Sequence, residues 1–188
     1  MTLENKLDSL KKRLNREEFL QNRGLGNEIP FYIFDYPPEK ELTVRDFITT
    51  ELVKHFKDSD KVKLCVIDLF EMMIERLKKE NLDSEMFNIE KKRGSEKVYV
   101  SLKKALNSDV VIEEIKSRAG DNNIVIIIGV GKVFPIIEPN ILLENLQNIF
   151  DFTKLIMFLP GNYNKREIVT LDVFKKNYYR AMRLSGEI

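Results

Sequence analysis

The chain has 188 residues, of which 43% are hydrophobic and 32% charged, a balance typical of one folded domain and not of a disordered segment. The formal net charge of +1 excludes a global field that would recruit DNA or a membrane. A single cysteine, Cys65, excludes an intramolecular disulfide, and no apolar run is long enough to cross a membrane. We therefore expect a soluble cytoplasmic protein.

The first third of the chain predicts helix, strand and helix in that order. Residues 1–23 predict an amphipathic helix, ended by Gly24 or Gly26, because leucines recur at three- and four-residue steps. These leucines are Leu3, Leu7, Leu10 and Leu14. The apolar run 29–36, closed by two prolines, predicts a buried strand. Thr43, with Asp46 three residues later, predicts the start of a helix that ends near Phe56.

The rest of the chain alternates apolar runs with helical patterns. Strands are predicted at 61–70, 123–130 and 154–160, the last of them ended by Pro160-Gly161. Helices are predicted after the second strand, at 95–106, at 109–118 and from Pro139 to Phe150. The tail, at 166–174 and 177–184, adds one or two edge strands.

This alternation predicts an α/β fold in a single domain over residues 1–188. We expect a mostly parallel sheet flanked by helices, in a Rossmann-like or RecA-like arrangement. The helical stretch 71–118 is predicted as an insertion between the second and third strands. It either projects as a subdomain or covers one face of the sheet.

Ligands of such sheets bind at the carboxyl ends of the strands. In this chain those ends carry Asp35, Asp68, Gly129, Gly131 and Lys132. The stretch "IVIIIGVGKVFP" resembles a phosphate-binding loop, but it has valine where serine or threonine would bind magnesium and lacks the upstream glycine. We therefore favour a glycine turn, with a positive φ angle at one glycine and the next helix starting only near residue 139. A phosphate cradle is the weaker alternative.

The sequence contains no complete catalytic or metal-binding set. Asp35 and Asp68 together suggest a magnesium site, but the favoured interpretation makes Asp68 the cap of a helix that starts at Phe70, and Asp35 a turn residue. One histidine, His55, and one cysteine, which we expect to be an inert core residue, cannot build an ordinary zinc site. We expect no catalytic residue, no metal and no cofactor.

Basic and aromatic residues gather in the C-terminal part of the chain. Residues 154–183 carry seven basic and two acidic side chains. Such a surface suits a protein partner or single-stranded nucleic acid. The candidate partner-binding residues are Tyr163, Lys165, Arg166, Tyr178 and Arg180. We expect the first three on a surface loop, and strand alternation predicts that Tyr178 and Arg180 face outward while Tyr179 packs on the core.

Six segments, in one order over nearly the whole chain, resemble the BrxB family, small components of bacterial BREX phage-defence systems. They are "NRGLGNEIPFYIFDYPPEKE", "KKRGSEKVYVSLKKAL", "IIGVGKVFPII", "LLENLQNI", "LPGNY" and "NYYRAMRL". The resemblance implies a non-enzymatic adaptor that supports restriction and host DNA methylation by binding a larger PglZ-type protein, with other BREX subunits as further partners. Two alternatives stay open: a degenerate nucleotide-sensing domain at residues 129–132, and a nucleic-acid-binding subunit that uses the basic C-terminal region.

Overall fold

The apolar runs form the centre of a parallel sheet in the computed structural model, which describes residues 2–21, 30–147, 150, 153–178 and 180–184. Its strands are β1 (Phe31–Tyr36), β2 (Leu64–Asp68), β3 (Ile124–Ile128) and β4 (Lys154–Tyr163). They lie in the order β2-β3-β4-β1, with each neighbouring pair parallel. All residues of β1 and β3 are buried, as expected for strands covered on both faces.

The C-terminal segment adds three short strands and makes the sheet mixed. These strands are β5 (Glu167–Thr170), β6 (Phe174–Asn177) and β7 (Met182–Arg183). β7 extends the parallel order beyond β1, whereas β5 pairs antiparallel with β4 and β6 antiparallel with β5. The α/β class is therefore confirmed with a mixed sheet. The strand order differs from the 3-2-1-4-5-6 order of the Rossmann fold, so Rossmann-like layering is not confirmed, and RecA-like layering stays a prediction.

The prediction that Pro160-Gly161 ends the fourth strand is wrong. Pro160 still pairs with β1, and the next three residues of β4 change partner and pair with β5. Gly161 makes this change possible because a β-carbon there would lie 1.9 Å from the Val169 carbonyl oxygen. At Gly161, β4 and β5 approach each other too closely for any residue that has a side chain.

Helices cover both faces of the sheet, because side chains along β1 alternate between two apolar clusters. One face packs against α5 (Leu69–Lys79), α8 (Ser108–Ala119), α9 (Val130–Val133) and α10 (Pro139–Leu146). The other packs against α1 (Leu3–Leu14), α2 (Glu17–Leu20), α3 (Glu41–Asp46) and α4 (Val53–Phe56). A π-helical segment, Phe47–Leu52, joins α3 to α4. Leu7, Leu10 and Leu14 are buried, which confirms the amphipathic N-terminal helix.

Helix starts agree only in part with the sequence signals. Asp68 caps α5 as expected, since its Oδ1 accepts the Phe70 N–H at 2.9 Å. The capping box at Thr43 is wrong, because the helix already begins at Glu41 after a 3₁₀ turn at Pro38–Lys40. The prediction of one helix over residues 1–23 is wrong in extent, because α1 ends at Leu14 and the separate helix α2 ends at Leu20. Gly24 and Gly26 lie outside the described residues.

Two further helices, α6 (Leu82–Arg93) and α7 (Ser95–Ala105), form a hairpin joined at Gly94. No residue of either helix is buried. The hairpin lies between α5 and α8, which both pack on the core. No helix in the described part of the chain combines the length and apolar character needed to cross a membrane.

Candidate functional site at the carboxyl edge of the sheet

Asp35 and Asp68 end two strands of the same sheet but lie far from each other. Asp35 is on β1 and Asp68 on β2, and β3 and β4 lie between these strands. Three strand spacings separate the two carboxylates by about 14 Å, so they cannot share one magnesium ion. Within the described ranges, no group of three or more His, Cys, Asp or Glu residues could hold a metal ion.

The glycine turn after β3 is closed by the carboxylate of Asp68. Gly129 has a φ angle of 75°, and a β-carbon there would lie 2.4 Å from Asp68 Oδ1. Lys132 Nζ lies 2.5 Å from Asp68 Oδ2, and its charge sits 5.2 Å from the centre of the Phe70 ring. An anion therefore already neutralises the lysine that a phosphate would need.

The expected glycine turn is present, but a helix follows it much earlier than predicted. The four-residue helix α9 begins at Val130, directly after the turn, and not near residue 139. Gly131 lies within α9, and its conformation needs no positive φ angle. A β-carbon at Gly131 would lie 2.9 Å from Pro160 Cγ and 3.1 Å from Leu171 Cδ2. Gly129 is thus required for its positive φ angle, whereas Gly131 lets α9 pack closely against Pro160 of β4 and Leu171 after β5.

The prediction that Asp35 is a turn residue is wrong, because Asp35 lies inside β1, paired with β4, and is bound by an arginine from β7. Arg183 Nε and Nη2 donate to the two carboxylate oxygens of Asp35 at 2.9 and 2.6 Å. Asp35 is only 4% exposed and also accepts the Tyr163 N–H at 3.2 Å. The paired carboxylate raises the pKa of Arg183. Sequence reasoning missed Arg183, although a carboxylate in a buried strand always requires a nearby donor.

The other side chains that could take part in catalysis, those of Cys65, His55 and Tyr36, have structural contacts or are exposed. Burial raises the pKa of the Cys65 thiol, which disfavours the reactive thiolate. His55 Nε2 lies 3.1 Å from Asn15 Nδ2 on the exposed side of α4. Tyr36 donates its hydroxyl to Glu41 Oε2 at 2.5 Å. None of these contacts assembles a nucleophile with a base.

The two candidate partner-binding tyrosines are buried, so their expected surface positions are wrong. Tyr163 and Tyr178 are 0% and 2% exposed. Tyr163 lies inside β4 and donates its hydroxyl to the Ala181 carbonyl at 2.8 Å. Gln147 Nε2 donates to the Tyr178 hydroxyl at 2.5 Å, and burial raises the pKa of that tyrosine.

Tyr178 and Arg180 do not follow strand alternation, because β6 ends at Asn177 and β7 begins at Met182, so neither residue lies in a strand. Tyr179, predicted to pack on the core, lies outside the described residues.

The other three candidates, Lys165, Arg166 and Arg180, are exposed. The Tyr178 N–H donates to the Arg166 carbonyl at 2.8 Å, and Arg180 Nη1 donates to Gln147 Oε1 at 2.9 Å. Sequence reasoning missed Val173, which is 87% exposed at the turn between β5 and β6. The exposed basic candidates therefore lie at the open end of the β5–β6 hairpin, whereas Val173 lies at its turn.

A cavity of about 240 Å³ lies between α7, α8 and α10. The Lys103–Glu138 ion pair, with 3.3 Å between Nζ and Oε1, lines it together with apolar side chains. None of the residues predicted from sequence as site residues lines this cavity. It offers an apolar recess away from the carboxyl edge.

Fold and site together define an α/β domain in which the carboxyl edge of the sheet, where ligands of such folds bind, is occupied by ion pairs of the chain itself. A model of the family described as BREX protein BrxB matches residues 65–184. The BREX protein BrxB of Bacillus cereus (strain H3081.97) is 39% identical over 184 residues, 95% of this chain and 95% of that protein. The one of Escherichia coli O9:H4 (strain HS) is 35% identical over 187 residues, 97% of this chain and 91% of that protein.

The chain belongs to the BrxB family of BREX proteins. Membership makes it a BREX component and supports a role in phage defence. No solved structure matches the chain.

Proposed function

We propose that this chain is a non-enzymatic adaptor of a BREX phage-defence complex, which supports restriction and host DNA methylation by binding the larger PglZ-type protein. The observation that carries the proposal is the closed carboxyl edge of the sheet. Asp35 is bound by Arg183, and Asp68 is bound by Lys132. Because the groups that could bind or activate a ligand there already bind each other, the chain acts through its surface.

The surface proposed for the PglZ-type partner lies on the C-terminal strand hairpin. We define this C-terminal surface by the exposed residues Lys165, Arg166, Val173, Lys176 and Arg180. Exposed arginines are enriched in protein interfaces, and Arg166 and Arg180 both lie at the open end of the hairpin, while the exposed Val173 lies at its turn.

The backbone adds support to this choice. Leu171 and Asp172 have φ angles of 53° and 57°, which non-glycine residues adopt at a cost of about 1–2 kcal/mol each. The turn therefore holds Val173 outward at some expense in stability.

The test is a double charge reversal, Arg166→Glu with Arg180→Glu, in a tagged chain expressed with the complete BREX system. Both side chains are exposed, so the variant should keep the circular dichroism of the wild type, and loss of the Arg180–Gln147 hydrogen bond should lower its melting temperature only slightly. We expect the PglZ-type protein to be lost from the purified complex. A matched control, Lys54→Glu with Lys57→Glu, makes the same charge change on exposed residues near α4 and should keep it.

Two results would contradict different parts of the proposal. If the wild-type chain does not co-purify with the PglZ-type protein, the adaptor function is wrong. If the folded double variant retains that protein at the wild-type level, the adaptor function stands and the C-terminal surface is the wrong docking site. Tyr178→Ala is unsuitable for this test, because the loss of a buried ring would destabilise the fold.

A further inference from the structure

The helical hairpin of α6 and α7 contributes little to the core. Its base contacts the core through the partly buried side chains of Leu82, Leu102 and Ala105. Between these positions no side chain of the hairpin is buried. A segment of this length that the fold does not need for burial is available for contact with another molecule.

The tip and the second helix of the hairpin concentrate positive charge. Residues 91–104 contain six basic side chains and one acidic one. Lys103 pairs with Glu138 at 3.3 Å. No carboxylate in the ranges that the structure describes pairs with the other five, which are Lys91, Lys92, Arg93, Lys97 and Lys104. Among the described residues, the tip and second helix of the hairpin therefore present an excess of exposed positive charge.

Each helix of the hairpin also exposes one large apolar side chain beside this charge. Phe87 on α6 is 72% exposed, and Val100 on α7 is 61% exposed. By the same spacing of three or four residues, Phe87 shares its helix face with Lys91 and with the acidic Asp83 and Glu90. Val100 shares its face with Lys97, Lys103 and Lys104, and with Glu96 as the one acid. Exposed apolar side chains of this size are costly in water and are typical of docking sites.

We propose that the α6–α7 hairpin is a second docking surface, which takes an acidic protein surface with an apolar pocket, and that the chain thereby bridges two BREX subunits. The inference rests on the proposed function, because bridging requires the C-terminal surface to hold a first partner. The five unpaired cations fit an acidic rim, and Phe87 is the anchor for the pocket. A nucleic-acid backbone would use the cations, but it gives no role to two outward apolar side chains.

The experiment compares an apolar variant, Phe87→Ser with Val100→Ser, and a charge variant, Lys91→Glu with Lys97→Glu. Each has a matched control at exposed positions elsewhere: Leu42→Ser with Val53→Ser, and Lys54→Glu with Lys57→Glu. The tagged chain is purified with all BREX subunits co-expressed, and each subunit is quantified. Both hairpin variants should lose about tenfold or more of one subunit, keep the PglZ-type protein and melt like the wild type. Both controls should keep every subunit.

Each other outcome overturns the proposal in a recognisable way. If wild-type chain recovers only the PglZ-type protein, the adaptor function stands and bridging is wrong. If it recovers no subunit, both are wrong. If the hairpin variants keep the full set of subunits, the hairpin is not a protein docking surface. If, in addition, the charge variant alone loses affinity for a short duplex DNA in a salt-dependent way, the hairpin binds nucleic acid instead.

Discussion

The carboxyl edge of the sheet and the α6–α7 hairpin use charged residues in opposite ways. At the edge, Asp35 and Asp68 are largely buried and each is bound by a cation of the same chain. On the hairpin, five cations have no acidic partner in the described residues, and two apolar side chains face solvent. Charges that are satisfied within the fold serve stability, whereas charges that stay unsatisfied are available to a partner.

The largest expected difference in the free energy of unfolding is between the loss of a buried ring in the core and the loss of an exposed ring on the hairpin. Phe34→Ala removes a ring that is completely buried on β1, and it should reduce the free energy of unfolding by about 3–5 kcal/mol. Phe87→Ala, the matched change on the hairpin, should alter it by less than about 0.5 kcal/mol. Urea denaturation of both variants measures the difference. A Phe34→Ala protein that unfolds at the wild-type urea concentration would show that β1 is not in the core.

The second prediction concerns the ion pair at the end of β1. Arg183→Met leaves the Asp35 carboxylate buried without its bidentate donor, and it should cost about 2–4 kcal/mol of unfolding free energy. Adding Asp35→Asn should recover part of that loss, because the uncompensated charge is then absent. Additive losses in the double-mutant cycle would mean that the two side chains do not interact.

The third prediction separates the two roles of glycine. Gly129→Ala places a β-carbon against Asp68 in a left-handed conformation and should cost about 2–3 kcal/mol. Gly94→Ala on the hairpin meets nothing within 4 Å, but its φ and ψ angles of 80° and 168° lie in a region that is almost restricted to glycine, so backbone strain alone should cost about 1–3 kcal/mol. An equal loss for Gly129→Ala in thermal melts of the wild-type chain and of an Asp68→Ala background would remove the close contact at Asp68 from the explanation.

The fourth prediction is a pH dependence at the start of β4. Lys154 is buried, its Nζ donates to the Leu20 carbonyl at 2.5 Å, and burial lowers its pKa below 10.5. Between that lowered pKa and 10.5 the unfolded chain binds more protons than the folded chain, so stability from this residue increases with pH through this window. Lys154→Met should flatten this increase. At neutral pH its free energy of unfolding should stay within about 1 kcal/mol of the wild type. The same slope in the variant would contradict the assignment.

The smallest expected effect is at the lysine of the glycine turn. Lys132→Ala removes a partly exposed ion pair with Asp68, so it should cost about 1 kcal/mol or less. Phage restriction, measured by plaque counts, should stay at the wild-type level. Hydrolysis of ATP by the purified chain, lost in Lys132→Ala, would instead make the carboxyl edge a working nucleotide site.

Sequence patterns predicted the elements of the core well because burial imposes periodicity. The apolar runs of β1 to β4, the leucine stripe of α1 and the Asp68 cap were all readable from local spacing. The pairing of Arg183 with Asp35 was not, since 148 residues separate them in the chain.

The errors in the C-terminal segment have one physical origin. Tyr178 and Arg180 lie in neither β6 nor β7, so strand alternation does not set the direction of their side chains, and β4 continues through a proline that the sheet accommodates. Short strands at the edge of a sheet are fixed by tertiary contacts more than by their own sequence.

The most direct test of the adaptor function is affinity purification of the tagged chain from a host with the complete BREX system, with each recovered subunit identified and quantified. We predict stoichiometric recovery of the PglZ-type protein with the wild-type chain, and its loss with the folded Arg166→Glu, Arg180→Glu variant. Recovery of the wild-type chain alone, under conditions in which phage restriction is intact, would contradict the adaptor function.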